Sequence, residues 1–294
     1  MIKAIIVGYG NIGQYAHQAI RATADMELVG IIDPSLTLAQ VDGISVGKTP
    51  ADFGKVDVAI IGAPSRAVPS VAIPLLEAGI ATVDSYDIHG DIYEQQQLLA
   101  AAAKKGGCAS IIAAGWDPGT DSVVRALFEA MTPRGITYTN FGPGMSMGHS
   151  VAAKSIEGVQ DALSMTIPLG TGVHRRMVYI TPEDGQDFDQ VAARIKADDY
   201  FKNDDTHVIQ ASCIDTLKDV GHSVQMERKG VSGETHAQKL GFNMSINNPA
   251  LTAQVLVSCA RAVLRQQPGC YTLIEIPLID LLPGSREDAI RRLV

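Results

Sequence analysis

The chain has 294 residues, of which 46% are hydrophobic and 28 are glycine, enough to build one large or two modest globular domains. Its formal charge of −8 is spread along the chain, which argues against nucleic acid as a partner. The beginning lacks the features of a secretory signal and no apolar run reaches the roughly 18 residues that span a bilayer, so we expect a cytoplasmic protein without a membrane partner. The four cysteines, Cys108, Cys213, Cys259 and Cys270, are scattered along the chain. We expect them to be reduced thiols rather than disulfides or zinc ligands.

The first 118 residues alternate short apolar runs with helix-like runs. The pattern predicts strands over 3–8, 27–33, 57–64, 81–86 and 109–115, and helices over 11–24, 68–78 and 91–105. Short β-rich runs separated by helices are typical of buried parallel strands joined by right-handed crossovers. The sequence therefore predicts an α/β fold with a doubly wound parallel sheet.

A glycine fingerprint opens this region. Gly8, Gly10 and Gly13 fit G-x-G-x-x-G directly after a strand and at the start of a helix, and Asp33 follows at the end of the next strand. Such a turn presents backbone N–H groups and a helix N-terminus to a pyrophosphate. We interpret the region as a Rossmann-like dinucleotide-binding domain, although glycines also serve strand-to-helix turns that bind nothing.

Polar residues at the ends of three other strands predict a ligand crevice. The segments 62–65, 84–87 and 114–118 fall at the carboxyl ends of their strands, where ligands bind in such sheets. Asp87 and Asp117 bring two carboxylates to one rim, which favours a cationic ligand such as an ammonium group. Trp116 offers a flat apolar wall beside Asp117. The alternative is that both aspartates serve loops or helix caps.

Beyond residue 118 the pattern changes to longer alternating segments with few helices between them. Strand-like segments at 136–142, 161–169, 175–182, 207–212, 222–230 and 239–246 predict a mixed or antiparallel sheet. They define a second, α+β domain over about 119–248 for substrate binding and oligomerisation. A helix signalled by Asn248 and Pro249 then returns to the first domain over about 249–294.

Two adjacent arginines in the second domain suggest a carboxylate site. Arg175 and Arg176 lie on one predicted strand, so only one of them faces a ligand. A guanidinium there grips a carboxylate through two parallel hydrogen bonds. His149, His174 and His222 lack metal-ligand spacing, so we interpret them as hydrogen-bonding or structural residues and expect no metal site.

Five stretches together resemble the meso-diaminopimelate dehydrogenase family, in order and over nearly the whole chain: VGYGNIG, VDSYDIH, AAGWDPGTDS, NFGPGMSMGHS and INNPALTAQ. GWDPG and FGPGMSMGH are the specific combinations, because many oxidoreductases share the glycine fingerprint. The compact segment between TIPLG and HRRMVY places the chain in the family's shorter branch.

The resemblance implies an enzyme that uses NADP to oxidise the D-configured amino carbon of meso-2,6-diaminopimelate to an imine. Water then releases ammonia and L-2-amino-6-oxopimelate. The reverse reaction is a reductive amination that feeds lysine and cell-wall precursor synthesis. A homo-oligomer, a dimer, is also expected from the family.

The resemblance further implies a role for each matching residue. Asp87, Trp116 and Asp117 contact the D-centre, and Asp87 or Asp117 accepts or relays the proton of the bound ammonium, unless water takes it. Phe141 forms a pocket wall, and the loop around Met147 and Gly148 closes over the substrate. The distal L-amino acid end is held by Thr166, Arg176, His222 and Asn248. The dinucleotide contacts are Gly8, Tyr9, Gly10, Asn11, Ile12, Gly13, Asp33, Pro34, Ser35, Gly62, Ala63, Pro64, Ser65, Ser85, Tyr86, Asp87, Ala114, Gly115, Trp116, Asp117 and Pro118.

One departure from the family pattern concerns the cofactor. Family members that use NADP commonly carry an arginine-rich turn after the second strand, whereas this chain has IIDPSLT. Asp33 suits the ribose 2′-OH of NAD and repels a 2′-phosphate. The family thus implies NADP, whereas local charge favours NAD.

Two other functions are also consistent with parts of the sequence. Another two-domain nicotinamide reductase, of the dihydrodipicolinate-reductase or amino-acid-dehydrogenase kind, including a D-amino acid dehydrogenase, retains the fingerprint but not the two specific motifs. A non-catalytic dinucleotide sensor needs an interaction surface that the charge distribution does not offer.

Overall fold

The computed structural model describes residues 1–218 and 221–294, which divide into two compact units. The first unit comprises residues 1–126 and 249–294, and the second comprises residues 127–248. The first unit reaches residue 126 rather than the predicted 118 because the helix that begins at Thr120 packs Val123 against the core of the first unit.

The strands, in chain order, are β1 (Ile2–Val7), β2 (Met26–Ile32), β3 (Gln40–Val41), β4 (Ile44–Gly47), β5 (Val58–Ile61), β6 (Ala81–Asp84), β7 (Ala109–Ile111), β8 (Arg134–Phe141), β9 (Gly144–Met145), β10 (Val159–Gly170), β11 (Val173–Pro182), β12 (Asp205–Gln210), β13 (Gly221–Ser232), β14 (Thr235–Asn247) and β15 (Gly269–Tyr271). The α-helices are α1 (Asn11–Arg21), α2 (Val68–Glu77), α3 (Ile92–Gly106), α4 (Thr120–Met131), α5 (Met147–Lys154), α6 (Phe188–Ala197), α7 (Asn248–Ala262) and α8 (Arg286–Leu293). Among the residues described, no helix is both long and apolar enough to cross a membrane.

The first unit is built on one eight-stranded sheet in the order β15-β7-β6-β5-β1-β2-β4-β3. Every pairing is parallel except that between β3 and β4. The predicted doubly wound parallel sheet is therefore confirmed. Because the strands run parallel, the carboxyl ends of β1, β5, β6 and β7 lie along one edge of the sheet.

Two apolar clusters cover the two faces of this sheet. Adjacent residues of β1 point to opposite faces, so Ile6 joins the cluster that contains α7, whereas Ile5 joins the cluster that contains α2 and α3. Both isoleucines are fully buried, and each contributes about 1.5–3 kcal/mol of transfer free energy. This burial on both faces holds the strand ends, and the loops that follow them, in fixed positions.

The second unit contains two sheets rather than the single sheet that the sequence predicts. The order β12-β11-β10-β9 forms a mixed sheet in which only β11 and β12 pair in parallel, and β14-β13-β8 forms an antiparallel sheet. The chain passes from β8 to β9 at Gly142, whose φ is +92° and whose added Cβ would lie 2.2 Å from the Thr166 carbonyl oxygen. Pro143, which follows, has no N–H group to donate to the hydrogen-bond ladder of either sheet. This local break separates the two sheets.

Candidate active site

The turn between β1 and α1 has the geometry of a pyrophosphate cradle. Gly8 has a φ of +93°, and a Cβ there would lie 2.8 Å from the Ala63 nitrogen. A Cβ on Gly13 would lie 2.2 Å from the Gly8 carbonyl oxygen, whereas a Cβ on Gly10 would meet no atom within 4 Å among the residues described. Helix α1 has no acidic residue in its first turn and no side-chain cap. Its N-terminal N–H groups therefore suit an anionic ligand, and the residues present fit a dinucleotide.

Asp33 is held against this turn by three hydrogen bonds. Tyr9 N donates to Asp33 Oδ2 over 2.6 Å, and Ser35 donates to Asp33 Oδ1 from its nitrogen over 2.8 Å and from its hydroxyl over 2.6 Å. Burial acts to raise the pKa of Asp33, but the hydrogen bonds from Ser35 and Tyr9 outweigh it and leave the pKa below its usual value. Asp33 is thus a fixed negative charge just beyond β2, and the Ser35 hydroxyl is already engaged.

The loops after β5 and β6 are tied together by Ser65 and Asp87. The Ser65 hydroxyl donates to Asp87 Oδ1 over 2.6 Å and accepts from the Asp87 nitrogen over 3.2 Å. Asp87 itself is exposed. Tyr86, which directly precedes Asp87, is 2% exposed and packs its side chain in the core. Only its backbone is therefore available at the carboxyl edge of the sheet.

Asp84, at the end of β6, is a buried acid that sequence reasoning did not select. Its Oδ1 accepts from Tyr86 N over 2.9 Å and from Ala113 N over 3.4 Å, and its backbone oxygen accepts from Ala114 N over 2.8 Å. Complete burial raises the pKa of Asp84 to about 7. Asp84 therefore joins the segments that follow β6 and β7, which carry Asp87 and Asp117. An acid at a strand end was its only sequence signal.

The turn from residue 115 to residue 121 places Asp117 beside a second acid, Asp121. Trp116 is 6% exposed, the Asp117 side chain is 15% exposed, and the Asp121 side chain is fully buried. Arg125, one turn further along α4, lies 2.5 Å from Asp121 Oδ2 and 3.6 Å from Asp117 Oδ1. Sequence reasoning found Trp116 and Asp117 but missed Asp121 and Arg125, although the i, i+4 spacing of those two was a signal.

In the second unit, Arg176 is the inward arginine of β11. Its side chain is 15% exposed, against 41% for Arg175, which pairs with Asp205. Arg176 Nε donates to Asp204 Oδ2 over 2.6 Å, and Nη1 donates to the buried Thr166 hydroxyl on β10. Asp204 was missed because it lies in the loop before β12 and only the parallel pairing brings it alongside.

Three histidines of the second unit surround this arginine. Burial, and then the charge of Arg176, lower the pKa of His174 and lower that of His149 to about 4. His149 Nδ1 lies 2.8 Å from the Ser146 hydroxyl, His174 Nε2 accepts from Phe141 N over 2.7 Å, and the buried His222 donates from Nδ1 to the Ser223 carbonyl over 3.0 Å. The lowered pKa values of His149 and His174 favour neutral rings, so Arg176, paired with Asp204, is the cation of this region. Within the described ranges, no three His, Cys, Asp or Glu side chains group as metal ligands.

The remaining predicted site residues of the second unit lie on element boundaries. Phe141 is the last residue of β8, and its ring is 5.6 Å from that of His174. Met147 and Gly148 open α5, and a Cβ on Gly148 would meet no atom within 4 Å in the described part of the chain. Asn248 is the first residue of α7. Phe141, Met147 and Asn248 are half-buried, and Gly148 is exposed.

Comparisons with known proteins agree over both units. Residues 2–112 match the model "Oxidoreductase family, NAD-binding Rossmann fold", and residues 115–248 match "Diaminopimelic acid dehydrogenase C-terminal domain". A protein named meso-diaminopimelate D-dehydrogenase from Bacteroides fragilis is 56% identical over 296 residues, covering 100% of this chain and 99% of the relative. The chain belongs to the diaminopimelate dehydrogenase family. The resemblance stated from its motifs is confirmed.

Solved structures of two similar proteins superpose on the whole chain. The Corynebacterium glutamicum diaminopimelate dehydrogenase in complex with DAP matches with a TM-score of 0.91 and 28% identity, covering 100% of this chain and 99% of that one. An engineered D-amino acid dehydrogenase bound to NADP+ matches with a TM-score of 0.87 and 29% identity over the same shares. Both structures thus share the fold of this chain over its whole length.

Proposed function

We propose that this chain catalyses the NAD(P)-dependent oxidative deamination of the D-centre of meso-2,6-diaminopimelate to L-2-amino-6-oxopimelate and ammonia, together with the reverse reductive amination. The observation that carries the proposal is the 56% identity, over both units, to a meso-diaminopimelate D-dehydrogenase. The dicarboxylic diamine links this activity to lysine and cell-wall precursor synthesis.

Asp87 and Asp117 are proposed to bind the ammonium of the D-centre and to take its proton, directly or through water. Hydride leaves a carbon that bears a neutral amine, so the bound ammonium first loses a proton to a carboxylate within reach. When bound, the nicotinamide ring accepts the hydride. Ser65 supports this role because its hydroxyl fixes Asp87, and Trp116 supplies an apolar wall beside Asp117.

Arg176 is proposed to bind the carboxylate of the distal L-centre. Asp204 and Thr166 occupy its Nε and Nη1, which fixes the guanidinium plane. Thr166, His222 and Asn248 are proposed to complete this subsite. Phe141 is proposed as a wall of the substrate pocket, and the loop around Met147 and Gly148 is proposed to close over the substrate. The low pKa of His149 and of His174 keeps both rings neutral beside Arg176.

The proposed cofactor range includes both NADP and NAD. The relative bound to NADP+ supports NADP, because it superposes on the whole chain. The three hydrogen bonds that hold Asp33 support NAD, because they fix a carboxylate where a 2′-phosphate would be repelled. Measurable activity with each cofactor is therefore expected.

The proposal extends to location and assembly. All four cysteines, Cys108, Cys213, Cys259 and Cys270, are free thiols in the structure, which supports the reducing cytoplasm. A homodimer is proposed from the family resemblance. Light scattering of the purified protein tests this by measuring its molar mass in solution.

A spectrophotometric assay tests the proposed reaction. Purified protein is expected to reduce NADP or NAD in the presence of meso-diaminopimelate, and to release ammonia in equal amount. The LL isomer, which has no D-centre, is the control and is expected to be inactive. Turnover of short D-amino acids at similar efficiency favours a general D-amino acid dehydrogenase, and cofactor binding without turnover favours a dinucleotide sensor.

A further inference from the structure

Asp121 takes no part in the proposed reaction, yet it holds the cation nearest to Asp117. Arg125 Nη2 lies 2.5 Å from Asp121 Oδ2, a charge-assisted hydrogen bond, but 3.6 Å from Asp117 Oδ1, which is too long for one. Asp117 Oδ1 is buried and has no hydrogen-bond partner among the residues described. The guanidinium therefore hydrogen-bonds to Asp121 and makes only a longer ion pair with Asp117.

Asp117 is the more accessible of the two acids that face Arg125. Two carboxyl groups, Asp117 and Asp121, face one guanidinium, and Asp121 is completely buried while Asp117 retains 15% of its exposure. Burial, followed by the charge of Asp117 and a hydrogen bond between the two acids, raises the pKa of Asp121, and Arg125 opposes that shift. The negative charge of the two acids therefore resides mainly on Asp117, and the exposed part of its carboxylate is the one that a cationic ligand can reach.

The backbone fixes the two acids side by side. Asp121 N donates to the Trp116 carbonyl over 3.0 Å, and Thr120 N donates to the Gly115 carbonyl over 3.2 Å. Gly119 has a φ of +144°, and a Cβ there would lie 1.9 Å from the Gly115 oxygen. This tight turn leads directly into α4, so Asp121 and Arg125 share one face of the helix at i and i+4.

We propose that Asp121 is a positioning residue that holds the Arg125 guanidinium away from Asp117, which keeps Asp117 available to the ammonium group of the substrate. The inference rests on the proposed function and deepens it. Without the Asp121 carboxylate, a shift of about 1 Å brings Arg125 into hydrogen-bond distance of Asp117. Arg125 then competes with the ammonium for the same carboxylate.

The test compares steady-state kinetics of wild type, Asp121→Asn, Arg125→Gln and the double variant with meso-diaminopimelate. Asp121→Asn is expected to raise the KM for this substrate about tenfold or more, the scale of a lost ammonium–carboxylate contact. Arg125→Gln is expected to lower the KM about twofold, because it removes a competing cation. The double variant is expected to return to within about threefold of wild type. Glu287→Gln and Arg291→Gln, an exposed i, i+4 pair on α8, provide the matched control.

Rescue by removal of the arginine distinguishes this role from a merely structural one. A double variant as impaired as Asp121→Asn, or an Asp121→Asn variant with wild-type KM, overturns the proposal. If Asp121→Asn does not fold, the KM of Asp121→Glu, which keeps the carboxylate, is measured instead. A KM near that of wild type supports the charge-holding role, and a tenfold increase in KM contradicts it.

A crystal structure of Asp121→Asn separates this inference from the proposed reaction. The expected result is Arg125 Nη2 within about 3 Å of Asp117 Oδ1, whatever the enzyme turns over. An unmoved Arg125 overturns the inference even where wild type is fully active. Conversely, wild type without meso-diaminopimelate turnover overturns the proposed function, while a moved Arg125 still supports the structural part of the inference.

Discussion

The candidate site residues of the two units differ in charge and in the way they are built. In the first unit they are acidic and lie in loops after parallel strands, where Asp87 and Asp117 carry the charge. In the second unit Arg176 lies within a strand and pairs with Asp204, and the nearby His149 and His174 have lowered pKa values. The proposed substrate carries ammonium and carboxylate groups, and the two charge types suit different ones of these groups. The predictions that follow test this contrast.

The largest effect is expected at the carboxylates of the first unit. Asp87→Ala and Asp117→Ala are each expected to lower kcat/KM for meso-diaminopimelate at least about a hundredfold, because each removes an ammonium partner or proton acceptor. Glu94→Ala, at an exposed acid on α3, is the control. Wild-type kinetics in both aspartate variants would remove these residues from the site.

A smaller, substrate-dependent effect is expected at Arg176. If it binds the distal carboxylate, Arg176→Ala lowers kcat/KM about tenfold or more for meso-diaminopimelate, but less for a short D-amino acid that has no distal carboxylate. Arg175→Ala is the matched control, because that neighbouring arginine is more exposed and pairs with Asp205. Equal losses on the two substrates would show that Arg176 is structural.

Cofactor preference is expected to shift by several-fold to tenfold at Asp33. A carboxylate near a 2′-phosphate costs on the order of 1 kcal/mol when the charges are partly solvated. Asp33→Ser combined with Pro34→Arg is therefore expected to raise the ratio of kcat/KM with NADP to kcat/KM with NAD. A wild-type preference for NADP of a hundredfold or more would contradict the role given to Asp33.

The effect on stability is expected to be smallest and to depend on pH. Burial raises the pKa of Asp84 from 3.8 to about 7, so between these values the unfolded chain is ionised there and the folded chain is not. Raising the pH through this window destabilises the folded state. Asp84→Asn removes the titration. Its free energy of unfolding is therefore expected to rise by about 1–3 kcal/mol relative to that of wild type as the pH is raised from 5 to 8.

Calorimetric Tm values of wild type and Asp84→Asn at both pH values measure this difference. Asparagine retains an acceptor oxygen for the Tyr86 and Ala113 nitrogens, so its fold is expected to be the same. A Tm difference between the two proteins that does not change with pH would show that Asp84 does not titrate in this range.

Periodicity predicted most of the first unit. The runs around Ile5, Ile60 and Val83 are strands within a few residues of the predicted bounds, because a strand buried on both faces leaves a continuous apolar signal. The division of the second unit into two sheets was not predicted. Its strands alternate in the same way in either arrangement, and the break at Gly142 depends on how closely the backbone passes Thr166.

The sequence by itself determined the dinucleotide fold and the family, and it identified the residues proposed to carry the chemistry. These depend on local features: the spacing of Gly8, Gly10 and Gly13, the run of apolar strands, and the GWDPG and FGPGMSMGH motifs. Only the tertiary structure decided the partners of the charged groups. Asp204 pairs with Arg176 because β11 and β12 lie side by side. Arg125 Nη2 lies about 1 Å closer to Asp121 Oδ2 than to Asp117 Oδ1. Electrostatic pairing depends on distances between chain segments and on burial, and a linear sequence specifies neither directly.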